Sequence, residues 1–191
     1  MSRPIPRDEA LALLHEWVAA APLRRHCLAV EAAMRAYAGQ GGEDVELWGV
    51  TGLLHDADYE RHPDMTDATA GHPRTIVAEL ERRDAPPEMV RAIASHADYL
   101  AVPRENAMEL TLHAVDELSG FLIACAMVRP EHIHGLSAKS VRKKMKQPSF
   151  AAAVDREELQ SAAAALGGDF DEHVDFVIGA LEAAAEELGI D

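Results

Sequence analysis

The stretch whose reading decides this chain is GVTGLLHDADYE, residues 49–60. It closes a segment, from roughly Glu43 to His55, that is nearly all apolar after Leu47. Such a segment is expected as a central, buried helix. It ends on His55-Asp56. A charged Asp beside a His at the end of a buried helix is expensive unless both are satisfied. One divalent cation satisfies both, since a neutral imidazole and a carboxylate each bind such an ion at roughly 2.0–2.2 Å. The dipeptide alone is common, so its weight depends on partners elsewhere.

Two partners stand out on either side. His26 lies on an otherwise apolar helix one element earlier, with Val30, Ala33 and Tyr37 at helical spacing from it. Asp116 lies deep in LHAVDELSGFLIACAMV (112–128), where the residues that follow are too apolar for a surface face. It therefore sits near the edge of the core or has a buried partner. Two imidazoles and two carboxylates drawn from three helices leave metal positions open for water and substrate, which is what hydrolysis needs.

Working outward, the whole chain reads as helices punctuated by Pro and Gly. A first helix is expected from an Asp8 cap to about Ala20, and a second from Pro22 to about Gly39. Residues 57–71 read as a loop. Pro73 opens a fourth helix to about Arg83, and Pro86-Pro87 opens a fifth that carries Ile93 and His96. A sixth runs from about Glu105 to Val128. KSVRKKMKQ (139–147) is the one strongly basic run, and Phe170–Leu188 reads as a terminal amphipathic helix. The expected organisation is a single domain over 1–191, with a metal-binding core at about 22–128 and helical additions at 1–21 and 129–191.

Composition agrees with an all-α fold. The chain is 48% hydrophobic but only 5% aromatic, so its core is built from Ala, Leu, Val, Ile and Met. Ala and Leu are strong helix formers, and β-branched residues are sparse. With 33 acidic against 18 basic residues, the net charge of −15 repels nucleic acid phosphates and anionic lipid. No nucleic acid polymer or membrane partner is expected. The reading finds no transmembrane run and no signal-peptide pattern, which implies a cytoplasmic protein, monomeric or homodimeric. Cys27 and Cys125 sit in apolar segments and read as isolated buried thiols.

The order His26, His55-Asp56, Asp116 resembles the HD superfamily of metal-dependent phosphohydrolases. The contexts HCLAVEAAM (26–34), GLLHD (52–56) and AVDELSGF (114–121) carry the likeness across about Leu23 to Arg129. The segment KSVRKKMKQPSFAAAVDRE (139–157) is similar to one in uncharacterised bacterial members of the superfamily. The resemblance implies an HD-domain-like helical bundle with a C-terminal helical extension. His72 in AGHPRT and His96 in AIASHADY fall where binuclear members place the ligands of a second ion, which Asp56 would share. The implied cofactor is one or two divalent ions of Mn, Fe, Co, Ni, Mg or Zn. Where the signalling phosphodiesterase branch follows HD with Ile-Gly-Lys, this chain has Ala57-Asp58-Tyr59, so cyclic dinucleotide cleavage is not expected.

The expected activity is hydrolysis of a small phosphorylated metabolite, a nucleotide or related phosphoester, with metal-activated water as nucleophile. Its candidate catalytic residues are His55, Asp56, Asp58, Lys143 and Lys144. Asp58 and Tyr59 would orient a ligand or water, and Arg74, Lys143 and Lys144 would meet an anionic substrate. Two further readings are an HD-type di-iron oxygenase and a non-catalytic metal- or nucleotide-binding sensor.

Overall fold

The computed structural model describes residues 3–191; Met1 and Ser2, part of the expected 1–21 addition, lie outside it. The fold is all-helical. Among the described residues there are ten α-helices, one short 3-10 turn at Asp98–Leu100, and no strand. The helices are α1 (Arg7–Trp17), α2 (Ala21–Gly41), α3 (Val45–Leu54), α4 (Arg74–Arg82), α5 (Pro87–Ser95), α6 (Ala107–Met127), α7 (Ala138–Met145), α8 (Arg156–Ala165), α9 (Phe170–Ala183) and α10 (Ala185–Leu188).

The short apolar helix α3 is the centre of the bundle. Asp44 caps it, accepting from the Glu46 and Leu47 amides at 3.0 Å each. Every residue from Trp48 to Leu54 is buried. Its main neighbour is α2, and it also touches α1 and α5. Gly52 is what allows the close approach to α2. A Cβ at that position would stand 2.9 Å from the Val30 carbonyl oxygen, closer than side-chain carbons come to backbone.

α6 crosses α2, α5 and α8. Its start is fixed by a reciprocal cap: Asn106 accepts from the Glu109 amide, and Glu109 accepts from the Glu105 amide. By length and composition α6 is apolar enough to cross a membrane, which corrects the expectation that no such run exists. Here its apolar side chains Leu112, Val115, Leu118, Phe121 and Leu122 are buried in the protein core.

Several boundaries differ from the sequence reading. α1 stops at Trp17, with Val18 extended, instead of reaching Ala20. The turn before Pro22 is held by Glu60, which accepts from the Ala19 and Ala20 amides at 2.9 and 2.8 Å. Asp8 lies inside the first turn of α1, and Pro6 takes the cap position. The expected terminal helix breaks at Ala184 into α9 and α10. The short α10 tucks Leu188 and Ile190 into the core. The basic run forms α7, and α8 follows it, neither of which periodicity had marked.

Candidate metal centre

Six side chains from five helices and their flanks meet beneath one open cavity. His26 projects from the second turn of α2, and His55 is the first residue past α3. Asp56 follows in the turn, His72 precedes α4, His96 follows α5, and Asp116 lies midway along α6. Gly71 lets the 57–71 loop close just before His72, because a Cβ there would lie 1.9 Å from the Asp64 carbonyl oxygen.

The imidazoles are oriented from behind. His55 Nδ1 donates to the Gly52 carbonyl at 2.8 Å, His96 Nδ1 to the Ile93 carbonyl at 2.6 Å, and His72 Nδ1 to Asp58 Oδ1 at 2.7 Å. With Nδ1 carrying the hydrogen, each Nε2 presents a lone pair to the cavity side. Those lone pairs face other donors. His26 Nε2 and His55 Nε2 are 3.2 Å apart, as are His72 Nε2 and His96 Nε2. Asp116 Oδ1 lies 3.0 Å from His26 Nε2 and 3.2 Å from His55 Nε2.

Asp56 stands between the two imidazole pairs. Its Oδ1 lies 3.3 Å from His72 Nε2, 3.6 Å from His96 Nε2 and 3.7 Å from His55 Nε2. Its Oδ2 lies 3.7 Å from His26 Nε2. The donors thus form two groups, His26-His55-Asp56 and Asp56-His72-His96, that share Asp56. Asp116 joins the first.

This donor set fits divalent cations. Atoms bound at about 2.1 Å in neighbouring positions of one ion stand about 3.0–3.4 Å apart; the imidazole pairs and the Asp116 contacts have this spacing, and the Asp56 contacts reach from 3.3 to 3.7 Å. Facing lone pairs repel unless something positive lies between them. The electrostatics agree. Burial alone would lower the His55 pKa, but the Asp56 and Asp116 carboxylates override it and raise it to about 9. Burial works to raise Asp56 and Asp116, yet the surrounding histidines hold both well below the usual carboxylate range. The centre attracts positive charge from every side. Asp56 and Asp116 keep 16% and 20% of their side chains exposed, so the centre is reachable.

A comparison with protein families finds that the HD domain model matches residues 23–120, just over half of the chain. This chain belongs to the HD domain family. Comparisons with curated proteins and with solved structures returned no match. The HD domain therefore ends inside α6, seven residues short of Met127. All six side chains of the centre lie within the matched span.

The cavity over the centre has a volume of about 340 Å³. Beyond the HD motif's own residues it is walled by Tyr59, Tyr99 and Glu117, with Leu23, Ala97, Ala153 and Val154 supplying apolar surface. Sequence reasoning missed Tyr99 and Glu117. Both had a signal, since Glu117 follows a ligand candidate directly and Tyr99 stands three residues past His96. Ala153 and Val154 had none. They come from the segment before α8, which Arg156 pins by donating to the Phe150, Ala151 and Val154 carbonyls.

The remaining expected site residues are placed elsewhere. Asp58 is fully buried behind His72, and its second oxygen accepts from the Ile76 amide at 2.9 Å. Both oxygens are used, so it positions His72 and does not orient substrate or water. Lys143 is exposed on α7, and Lys144 Nζ sits 4.7 Å over the Phe150 ring. Lys144 is near enough to Cys125 to act on its thiol. Cys125 is nine residues past Asp116, about 13 Å along α6 at the helical rise. α7 packs on α6 and α9, and neither lysine lines the cavity. Arg74 donates towards the Tyr99 carbonyl at 3.4 Å and does not line it either.

Proposed function

We propose that this HD domain protein is a metal-dependent phosphohydrolase of a small phosphorylated metabolite. The observation that carries the reading is the pair of donor groups whose imidazole nitrogens face one another across a shared carboxylate, Asp56, under an open cavity. Divalent ions bound there would supply Lewis acidity toward phosphoryl oxygens and lower the pKa of water.

The chain's own residues supply the remainder. Asp58 and the Gly52 and Ile93 carbonyls hold three imidazoles in one tautomer, so no reorientation is needed when a ligand arrives. The residues lining the cavity include no Ser, Thr or Cys, and its His and Asp side chains would be occupied as metal donors, which favours water as the nucleophile. In the net reaction a water oxygen bonds to phosphorus, the bond to the leaving alkoxide breaks, and the alcohol departs with a water proton.

The test is a phosphoester screen on protein loaded with Mn, Co, Ni, Mg or Fe, with oxygen uptake followed in parallel. Phosphate release should need the metal, stop with a chelator, and fall to background in Asp56→Ala. Metal-loaded protein that releases phosphate from no ester, or that consumes oxygen with substrate, rules the reading out.

A further inference from the structure

Resting on the hydrolase reading above, we propose that the centre selects a phosphomonoester whose organic part carries an ammonium group. Glu117 and the Tyr59–Tyr99 wall are its recognition elements.

The first observation is a charge imbalance within the cavity. Its lining includes no lysine and no arginine, and the cations expected from the basic run lie elsewhere, on α7. Acids are present instead. Glu117 lines the cavity, and Glu158, whose Oε1 lies 3.7 Å from His113 Nε2, is near enough to act on its charge. One phosphoryl group can be neutralised by ions at the centre. Each further phosphoryl would bring more negative charge against Glu117 and Glu158, and the cations nearest the wall, Arg74 on the Tyr99 carbonyl and Arg104 on the His96 carbonyl, are not part of the lining.

The second observation is an unmet hydrogen-bonding need. Glu117 Oε2 is buried and has no hydrogen-bond partner. A carboxylate oxygen without a donor is costly, and an N–H group brought by a ligand would meet it once the half-buried Glu117 carboxylate turns toward the cavity it lines. The third observation is aromatic. Tyr59 and Tyr99 are among the few large hydrophobic side chains left exposed, at 39% and 48%. Both lie against His72, with ring centroids 5.3 and 6.5 Å away. Aromatic faces attract cations through their quadrupole, and ammonium groups are what such walls bind. A carboxylate and two tyrosines around one cavity meet the same chemical partner from two directions.

Hydrolysis of such an ester breaks the P–O bond to the amino alcohol and forms one to the oxygen of water. The products are inorganic phosphate and the amino alcohol, protonated at the leaving oxygen.

The experiment compares O-phosphoethanolamine, its neutral isostere propyl phosphate, and inorganic pyrophosphate on protein of measured metal content. Binding is read by titration calorimetry and turnover by phosphate release. Phosphoethanolamine should exceed propyl phosphate by at least about tenfold in affinity or kcat/KM, with pyrophosphate the poorest. In Glu117→Gln that ratio should shrink to within about threefold, and Tyr99→Leu should lower it in the same direction. Tyr99 is exposed, so its variant remains informative if Glu117→Gln fails to fold. Equal handling of the two esters, a preference for pyrophosphate, binding of neither ester, or a ratio unmoved in both variants overturns the proposal. Selective binding without phosphate release would instead remove the hydrolase reading and leave the ammonium site standing.

Discussion

Asp58→Asn separates the two halves of the centre. The native carboxylate accepts from His72 Nδ1 at 2.7 Å and from the Ile76 amide at 2.9 Å, and it is fully buried. A carboxamide of the same shape has one acceptor oxygen, so one of the two donors would face an N–H2 group instead. Hydrogen bonds to a charged group contribute about 1.5–3 kcal/mol each, and losing one while weakening the other should destabilise the ion-free protein by about 2–4 kcal/mol. For a chain of this size that lowers Tm by about 4–16 °C. His72 would also lose the partner that fixes its ring, and such losses weaken metal binding about 10–100-fold. The effect should be confined to the group containing His72, His96 and Asp56. Asp58 touches neither His26 nor His55 nor Asp116. Calorimetric titration with Mn or Co, with metal content after dialysis, should show two binding events in the native protein and one displaced event in the variant. Two unaltered events in Asp58→Asn, or selective loss at the His26 group, would refute the assignment of Asp58 as a positioning residue.

Three other outcomes follow from single contacts. Gly52→Ala puts a Cβ 2.9 Å from the Val30 carbonyl oxygen; overpacking of this kind costs about 1–3 kcal/mol, so Tm should fall by about 2–12 °C, and an unchanged thermal melt would show that α2 and α3 can part freely. Burial raises the Cys27 thiol well above its usual range and the Cys125 thiol to about 11, so neither should react with iodoacetamide in the folded protein at pH 8, while both should in denaturant; mass spectrometry reads this, and rapid labelling of either contradicts it. His134 is raised by its bonds to Asp191 and Glu182, both at 2.9 Å. Its contribution to holding the C-terminal residues is therefore full below the unfolded value of about 6.5 and lost as pH rises through the higher folded midpoint. An NMR titration should give that higher midpoint and a lower one in Glu182→Gln; a native midpoint at or below about 6.5 would remove the contact.

What was legible in the chain divides along physical lines. The all-helical fold could be read because α3 and α6 are apolar runs with caps at Asp44 and Asn106, signals that act over a few residues. The four candidate donors His26, His55, Asp56 and Asp116 could be picked out because each interrupts or closes an apolar helix, where a polar group needs a reason. His72 and His96 were legible only through the family likeness. Asp58 was placed near the centre but given the wrong task. Adjacency to Asp56 suggested contact with ligand, whereas the turn after α3 sends its side chain inward to the start of α4. Lys143 and Lys144 failed for a related reason. Charge content says that a basic run exists, and only packing of α7 on α6 and α9 decides where it points.

The same division explains why the centre and the cavity carry different kinds of information. The candidate metal donors all fall within residues 23–120, the span that the HD domain model matches. The wall that a substrate would touch draws also on Ala153 and Val154, more than thirty residues beyond that span. Those two are held in place by the Arg156 bonds to the preceding carbonyls and by the Phe150 ring against Phe121, 5.5 Å away on α6. Glu117 and Tyr99 sit at the meeting of the two regions. On the proposed reading, the metal centre would be set by the His-Asp pattern, and the group bound beside a phosphoryl by residues that the pattern does not include. Substitutions at Val154 or Tyr99 should therefore alter which ester is preferred without removing metal, and substitutions at Asp56 should remove metal whatever the ester.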